Sequence, residues 1–325
     1  MSLRRPSSLL VVVGGITLVA CAWLWLGRHP MTSYQFIEEV SAARQYAIYD
    51  ADWSPEGDRI AMIGYRGDFG QQDVLIYDIA SETVTRLLGR EESFLANTVS
   101  WSPDGRYLAV DGGYSTDPAR GGIWLVPVNG QPPVFLAEGL EASWSPGGDR
   151  IAIADETLLV GRLKILDLAS HEETVVVELP YDGRVFPRMH PAWSPTSDDI
   201  AYTVEELTPD GEYRISSGYL LDLSELVPRR MSVVGTEIRM VTDLSWWPDG
   251  EWLIMTARAD VEGVYLASSD GGCTRLLLPQ DIGGLYVDAS PEGDRLVLVS
   301  GGAAFLVDLQ RAAEEGVVQF PFSCP

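Results

Sequence analysis

Apolar and polar residues alternate in short runs along most of this chain. Arg106, Tyr107, Leu108, Ala109 and Val110 are typical, and the runs are broken by clusters of Pro, Gly, Asp and Ser. A period of two marks half-buried strands, and the breakers mark turns. Helical spacing is confined to a turn or two around Glu38 to Arg44. The pattern therefore predicts an all-β protein.

One phrase recurs. "TVSWSPDGRYLAV" (from Thr98) has relatives in "DADWSPEGDRIAM" (Asp50), "EASWSPGGDRIAI" (Glu141), "HPAWSPTSDDIAY" (His190), "DLSWWPDGEWLIM" (Asp243) and "YVDASPEGDRLVL" (Tyr286). Its prolines, Pro55, Pro103, Pro146, Pro195, Pro248 and Pro291, are spaced 48, 43, 49, 53 and 43 residues apart. A β-rich repeat with a period in the forties indicates propeller blades. In each unit Pro presets φ for the turn and Gly takes the positive φ that follows. The Trp is expected to fill the space between blades, although Ala289 replaces it in the sixth unit. Third strands are read in "VLIYDIA", "GIWLVPV", "LKILDLA", "GYLLDLS", "GVYLASS" and "AAFLVDL". Fourth strands are read in "VTRLL", "PVFLA", "TVVVEL", "PRRMSVV", "CTRLLL" and "VVQFPF". The expected fold is a six-bladed β-propeller of four-stranded antiparallel blades over residues 47–325. Residues 31–46 form a linker or a closing strand ("YQFIEEV", Tyr34 to Val40), and residues 1–30 a membrane anchor or lipoprotein-type signal.

The W-S-P-D-G string followed by I/L-A resembles the TolB-like six-bladed propeller repeat family. Trp101 to Gly105 match it fully, and blades one, three, four and five match with one or two changes. The resemblance implies a six-bladed toroid. The best-known members bind other envelope proteins in the periplasm, so it also implies a protein partner there. Related propellers cap prolyl-oligopeptidase-type peptidases, but this sequence has no G-x-S-x-G nucleophile motif.

Arg4 and Arg5 precede an uncharged, largely apolar stretch from Leu9 to Leu26, at the short end of a membrane span. The positive-inside rule puts the body outside the cytoplasm. "LVAC" (Leu18 to Cys21) also resembles a lipobox, so anchor helix, lipidated Cys21 and cleaved signal stay open. The expected location is the extracytoplasmic side of a bacterial-type inner membrane. Beyond residue 30 there are 20 basic and 47 acidic residues, a net of -27. Such a body repels nucleic acid; the expectation is a monomer with envelope-protein partners. Cys273 and Cys324 could form a disulfide in that compartment.

Catalytic signals are weak. There are three His, at 29, 171 and 190, and no metal-type spacing; an RGD tripeptide at Arg66 carries little information. The repeat itself offers one constellation. Three residues before each Trp position stand Asp50, Thr98, Glu141, His190, Asp243 and Tyr286, all able to hydrogen-bond. One residue before it stand Asp52, Ser100, Ser143, Ala192, Ser245 and Asp288. First strands of propeller blades line the channel, so these positions should form a polar, net-acidic ring at its mouth. No cofactor is assigned; if the ring held a metal, its oxygen ligands would suit Ca²⁺. Partner-binding candidates lie in the long loops on the same face: Tyr114, Arg120, Tyr181, Arg184, Arg188, Tyr213 and Arg214. The expected function is non-catalytic: a tethered propeller presenting a loop-rich face to a protein or other ligand. The alternative is a calcium-dependent propeller hydrolase or lactonase.

Overall fold

The computed structural model describes residues 34–66, 72–89, 94–116, 121–156, 160–182, 185–186, 189–207, 214–231, 240–258, 262–279, 286–319 and 322. Six antiparallel blades form a ring. Blade one comprises Ala47–Trp53, Arg59–Tyr65, Gln72–Asp78 and Thr83–Leu88. Blade two comprises Phe94–Trp101, Tyr107–Tyr114, Gly122–Pro127 and Val134–Ala137. Blade three comprises Leu140–Trp144, Arg150–Glu156, Val160–Asp167 and Glu173–Pro180. Blade five comprises Met240–Trp246, Trp252–Arg258, Gly263–Ser268 and Thr274–Pro279.

Blades four and six depart from the simple reading. The inner strand of blade four is split into Val185–Phe186 and Pro191–Trp193, which pair with opposite halves of Asp199–Leu207. Its third strand is Arg214–Asp222, and its outer strand is only Pro228–Arg230. Blade six contributes Tyr286–Ala289, Arg295–Ser300 and Ala303–Asp308. Its outer strand is Ile37–Glu39, from the other end of the chain, with Ile37 opposite Val307 and Glu39 opposite Phe305. The closing-strand option for Tyr34–Val40 is thus the one observed. The assignment of "VVQFPF" as a fourth strand is corrected. Asp308 instead caps a short helix, Leu309–Glu314, by accepting from the Arg311 N–H at 2.8 Å. That edge of the blade is already taken by Ile37–Glu39. The expected anchor in residues 1–30 lies outside the described residues. Among the described residues no helix is long and apolar enough to cross a membrane.

The repeated turn works through its Ser. The Ser54, Ser102, Ser145 and Ser290 hydroxyls accept from the backbone N–H of Arg59, Tyr107, Arg150 and Arg295 at 2.9, 2.9, 3.0 and 3.1 Å. Gly105 follows at φ +69°, and a Cβ there would face Pro55 of the preceding blade. The turns thus pack ring-wise on one face, here called the turn face. The strand ends that lead into the connections between second and third strands, and into the links between blades, lie on the opposite face, here called the loop face.

Six apolar clusters hold the ring, one at each blade–blade interface. This explains why inner and middle strands are apolar on both faces. Trp53, Trp101, Trp144, Trp193 and Trp246 each pack back onto the preceding blade. Between blades five and six the Trp position is Ala289, and Trp247 of blade five joins that cluster. Trp247 stands where other units carry the turn Ser, and its indole lies under Gly293, close enough that a Cβ there would come within 3.0 Å. The second Trp of "SWWPDG" thus supplies the bulk that the sixth repeat lacks.

Candidate functional site

Each inner strand is an edge strand facing the channel, so part of its backbone has no partner within its own blade. Buried N–H groups must find acceptors elsewhere. The structure supplies them from neighbouring blades. Asp50 accepts from the Val99 N–H at 2.7 Å, and Asp52 accepts from the Trp101 N–H. Asp111, on the second strand of blade two, accepts from the Glu141 N–H. Ser143 and Glu156 of blade three accept from Trp193 and Met189, both at 2.8 Å. Asp243 accepts from the Val287 N–H at 2.8 Å. Asp288 closes the ring, accepting from the Trp53 N–H at 3.0 Å and from the Ser245 hydroxyl at 2.7 Å. At the interface of blades four and five the Trp246 indole N–H donates to the Ala192 carbonyl at 2.9 Å.

Of the six positions three residues before the Trp, Asp50, Glu141, His190, Asp243 and Tyr286 lie close enough to act on one another electrostatically. Asp50, Thr98 and Asp243 lie mid-strand, Glu141 and Tyr286 at or near strand starts, and His190 just before Pro191–Trp193. The inner strands of blades one, two, three and five carry a bulge beside these positions. Bulges re-aim side chains, and Glu141 sits at φ +46°, uncommon for a residue with a side chain.

Burial dominates the electrostatics. It raises the Asp50 and Asp52 carboxyls well above the usual range, helped by the charges of Glu141 and Asp288 respectively. Asp52 and Asp288 hydrogen-bond across the closing interface; burial raises both carboxyls, and the Asp288 charge raises Asp52 further. Burial and the Glu141 charge push Asp111 up to about 8. Burial pushes Asp243 up to about 7 against the opposing pull of the Val287 N–H and His190. Burial alone would lower His190, but the charge and hydrogen bond of Glu141 prevail and hold it near 9. His190 Nδ1 lies 3.2 Å from Glu141 Oε1, and these side chains keep 36% and 25% of their surface exposed. The result is a protonated imidazole set among buried acids.

Among the described residues, no three His, Cys, Asp or Glu side chains form a group that could hold a metal ion. Asp50, Asp243 and Asp288 are directed at backbone N–H groups of neighbouring blades.

Of the loop candidates, Tyr114 ends the second strand of blade two, its ring 5.1 Å from those of Phe94 and Trp124. Tyr181 is exposed just after the outer strand of blade three. Arg120, Arg184, Arg188 and Tyr213 lie outside the described residues, as do Cys21 and Cys324, while Arg214 opens the third strand of blade four. Cys273 is disulfide-bonded. The sequence reading missed Asp111 and Glu156, which stand on second strands outside the aligned phrase. It also missed the exposed apolar residues Leu95 and Leu140 on the loop face.

Among solved structures, TolB from Acinetobacter baumannii superposes with a TM-score of 0.59 at 15% identity, over 78% of this chain and 64% of that one. The protein described as TolB from Agrobacterium tumefaciens gives 0.57 at 16% identity, over 84% and 96%. The chain has the TolB-like propeller fold. This TolB-like chain spans about two thirds of the length of the Acinetobacter protein. An oligogalacturonate lyase in complex with manganese shares the fold, with a TM-score of 0.53 at 13% identity over 84% and 92%. A family model, eukaryotic translation initiation factor eIF2A, matches residues 28–117, which include all of blade one. No curated protein matches the sequence.

Proposed function

We propose that this TolB-like propeller is a non-catalytic binding scaffold. It is held at a membrane through its N-terminal segment and presents its loop face to a protein partner on the extracytoplasmic side. The observation that supports this reading is how the ring acids are used. Asp50, Asp52, Asp243 and Asp288 accept hydrogen bonds from the backbone of adjacent blades, so their carboxylates hold the ring rather than wait for a substrate. A rigid ring then leaves loops and rim as the variable surface, where binding residues concentrate. Leu95, Leu140 and Tyr181 are exposed on that rim beside the exposed Glu138. The TolB proteins of similar fold are consistent with such a role.

Photo-crosslinking tests it. A crosslinker at Leu140 or Tyr181 of the full chain in its native envelope should capture a discrete protein adduct. The same group at Glu82, exposed in a turn of blade one, should not. Equal adducts from all three positions would count against a loop-face partner.

The calcium-dependent hydrolase reading retains one observation in its favour, the manganese-bound lyase of the same fold. Calcium titration separates the two. A bound metal raises the melting temperature with concentration, whereas the scaffold reading expects no shift.

A further inference from the structure

We infer that the tether leaves the ring on its turn face, so that the loop face points away from the membrane toward its partner. The inference rests on the N-terminal anchoring proposed above, and strand polarity carries it. Ala303–Asp308 follows a hairpin on the loop face and runs to the turn face. Ile37–Glu39 runs antiparallel to it, with the Asp308 N–H donating to the Phe36 carbonyl at 2.8 Å and the Val40 N–H to the Ala304 carbonyl at 2.9 Å. Tyr34 therefore stands at the turn face. The C-terminal side lies there too: Phe322 packs its ring 4.6 Å from that of Trp247, in the turn of blade five.

The connection is short. Seven residues, 27–33, separate the apolar stretch ending at Leu26 from Tyr34, and seven residues reach at most about 25 Å. A strand such as Arg59–Tyr65, with seven residues, is about 23 Å long. Turning the loop face to the bilayer would use nearly the whole reach before turns and loops were accommodated. Charge does not set the orientation: Glu56, Asp58, Asp104, Asp149, Asp198 and Asp249 are exposed in the turns, and anionic headgroups repel such a face. The body therefore stands off the bilayer on its tether, and the point of attachment decides which face is nearer. The loop face, with Leu95, Leu140 and Tyr181 beside Glu138 and Glu141, fits a protein segment carrying basic and apolar side chains that approaches from the far side.

The test uses the full chain in liposomes containing anionic lipid. A donor dye is attached through a genetically encoded click residue at Glu56 on the turn face or Ser115 on the loop face, both exposed. Energy transfer to a headgroup-labelled acceptor lipid is then measured. A height difference of about 23 Å predicts roughly two-fold greater transfer from Glu56. Equal or reversed transfer from a chain that floats with the liposomes overturns the orientation and leaves the tether standing. A chain that does not float with them overturns the tether and the orientation together, while the crosslinking result is unaffected.

Discussion

Asp288 joins three blades at the point where the ring closes, which makes it a sensitive place to test whether ring acids are structural. Asp288→Ala removes the acceptor of the Trp53 N–H (3.0 Å) and of the Ser245 hydroxyl (2.7 Å). An orphaned buried N–H costs about 1–3 kcal/mol, and a lost side-chain hydrogen bond about 1 kcal/mol. The hydrogen bond with Asp52 is lost as well. The net loss is about 2–4 kcal/mol. At about 2–4 °C per kcal/mol for a domain of this size, the melting temperature should fall by roughly 4–16 °C. Asp288→Asn keeps an oxygen acceptor and sheds the charge, so it should melt within about 2 °C of the wild type. Thermal unfolding of the full chain at neutral pH, followed by near-UV circular dichroism, reads both variants. If Asp288→Ala melts like the wild type, or Asp288→Asn falls as far as Ala, backbone capping is not what this acid does.

Stability should also fall as pH rises. Burial pushes Asp111 and Asp243 up to about 8 and about 7 when folded, against an ordinary carboxyl value of 3.8. The folded state therefore binds more protons between those limits, and stability declines as pH climbs through them. His190, raised to about 9 from 6.5, adds stability that is full below 6.5 and lost through 9; melting should be higher at pH 5.5 than at pH 9, and the opposite slope would contradict the acid–imidazole arrangement. Trp247→Ala should cost about 3–5 kcal/mol, as for a buried Trp in any core, read as a shift of the urea midpoint; a surface-sized effect would mean that Trp247 does not replace the missing blade-six Trp. Tryptic mapping without reductant should find Cys273 joined to Cys324, because Phe322 packs against Trp252 of the blade that carries Cys273; a Cys21 partner would reassign the bond.

Much of the ring was legible because its information is local. Pro and Gly at fixed offsets specify the turn, and the alternating residues after it specify the second strand, so six copies sufficed to predict six blades. What could not be read depends on which blades meet. "VVQFPF" is as apolar as any strand, but the edge it would occupy belongs to Ile37–Glu39. Trp247 takes the place of the turn Ser, and its purpose is visible only against Ala289, one blade further on. The ring acids were found by register, but their partners are backbone N–H groups, which every sequence has and none announces. Asp111 and Glu156 stand on second strands past the end of the repeated phrase, where the register of the Trp no longer marks them.

The closing strand also has a temporal meaning. Ile37 pairs with Val307, some 270 residues later in the chain. At about 5–20 residues per second of synthesis, the strand nearest the proposed tether waits roughly 15–55 s before its partner exists. Through that interval it is an open edge, available to any other chain. It is only three residues long and carries Glu38 and Glu39. Brevity and charge are the features that discourage mispairing of an exposed edge. The segment that makes the ring whole is thus also the one that must stay idle longest, and its sequence is suited to both demands.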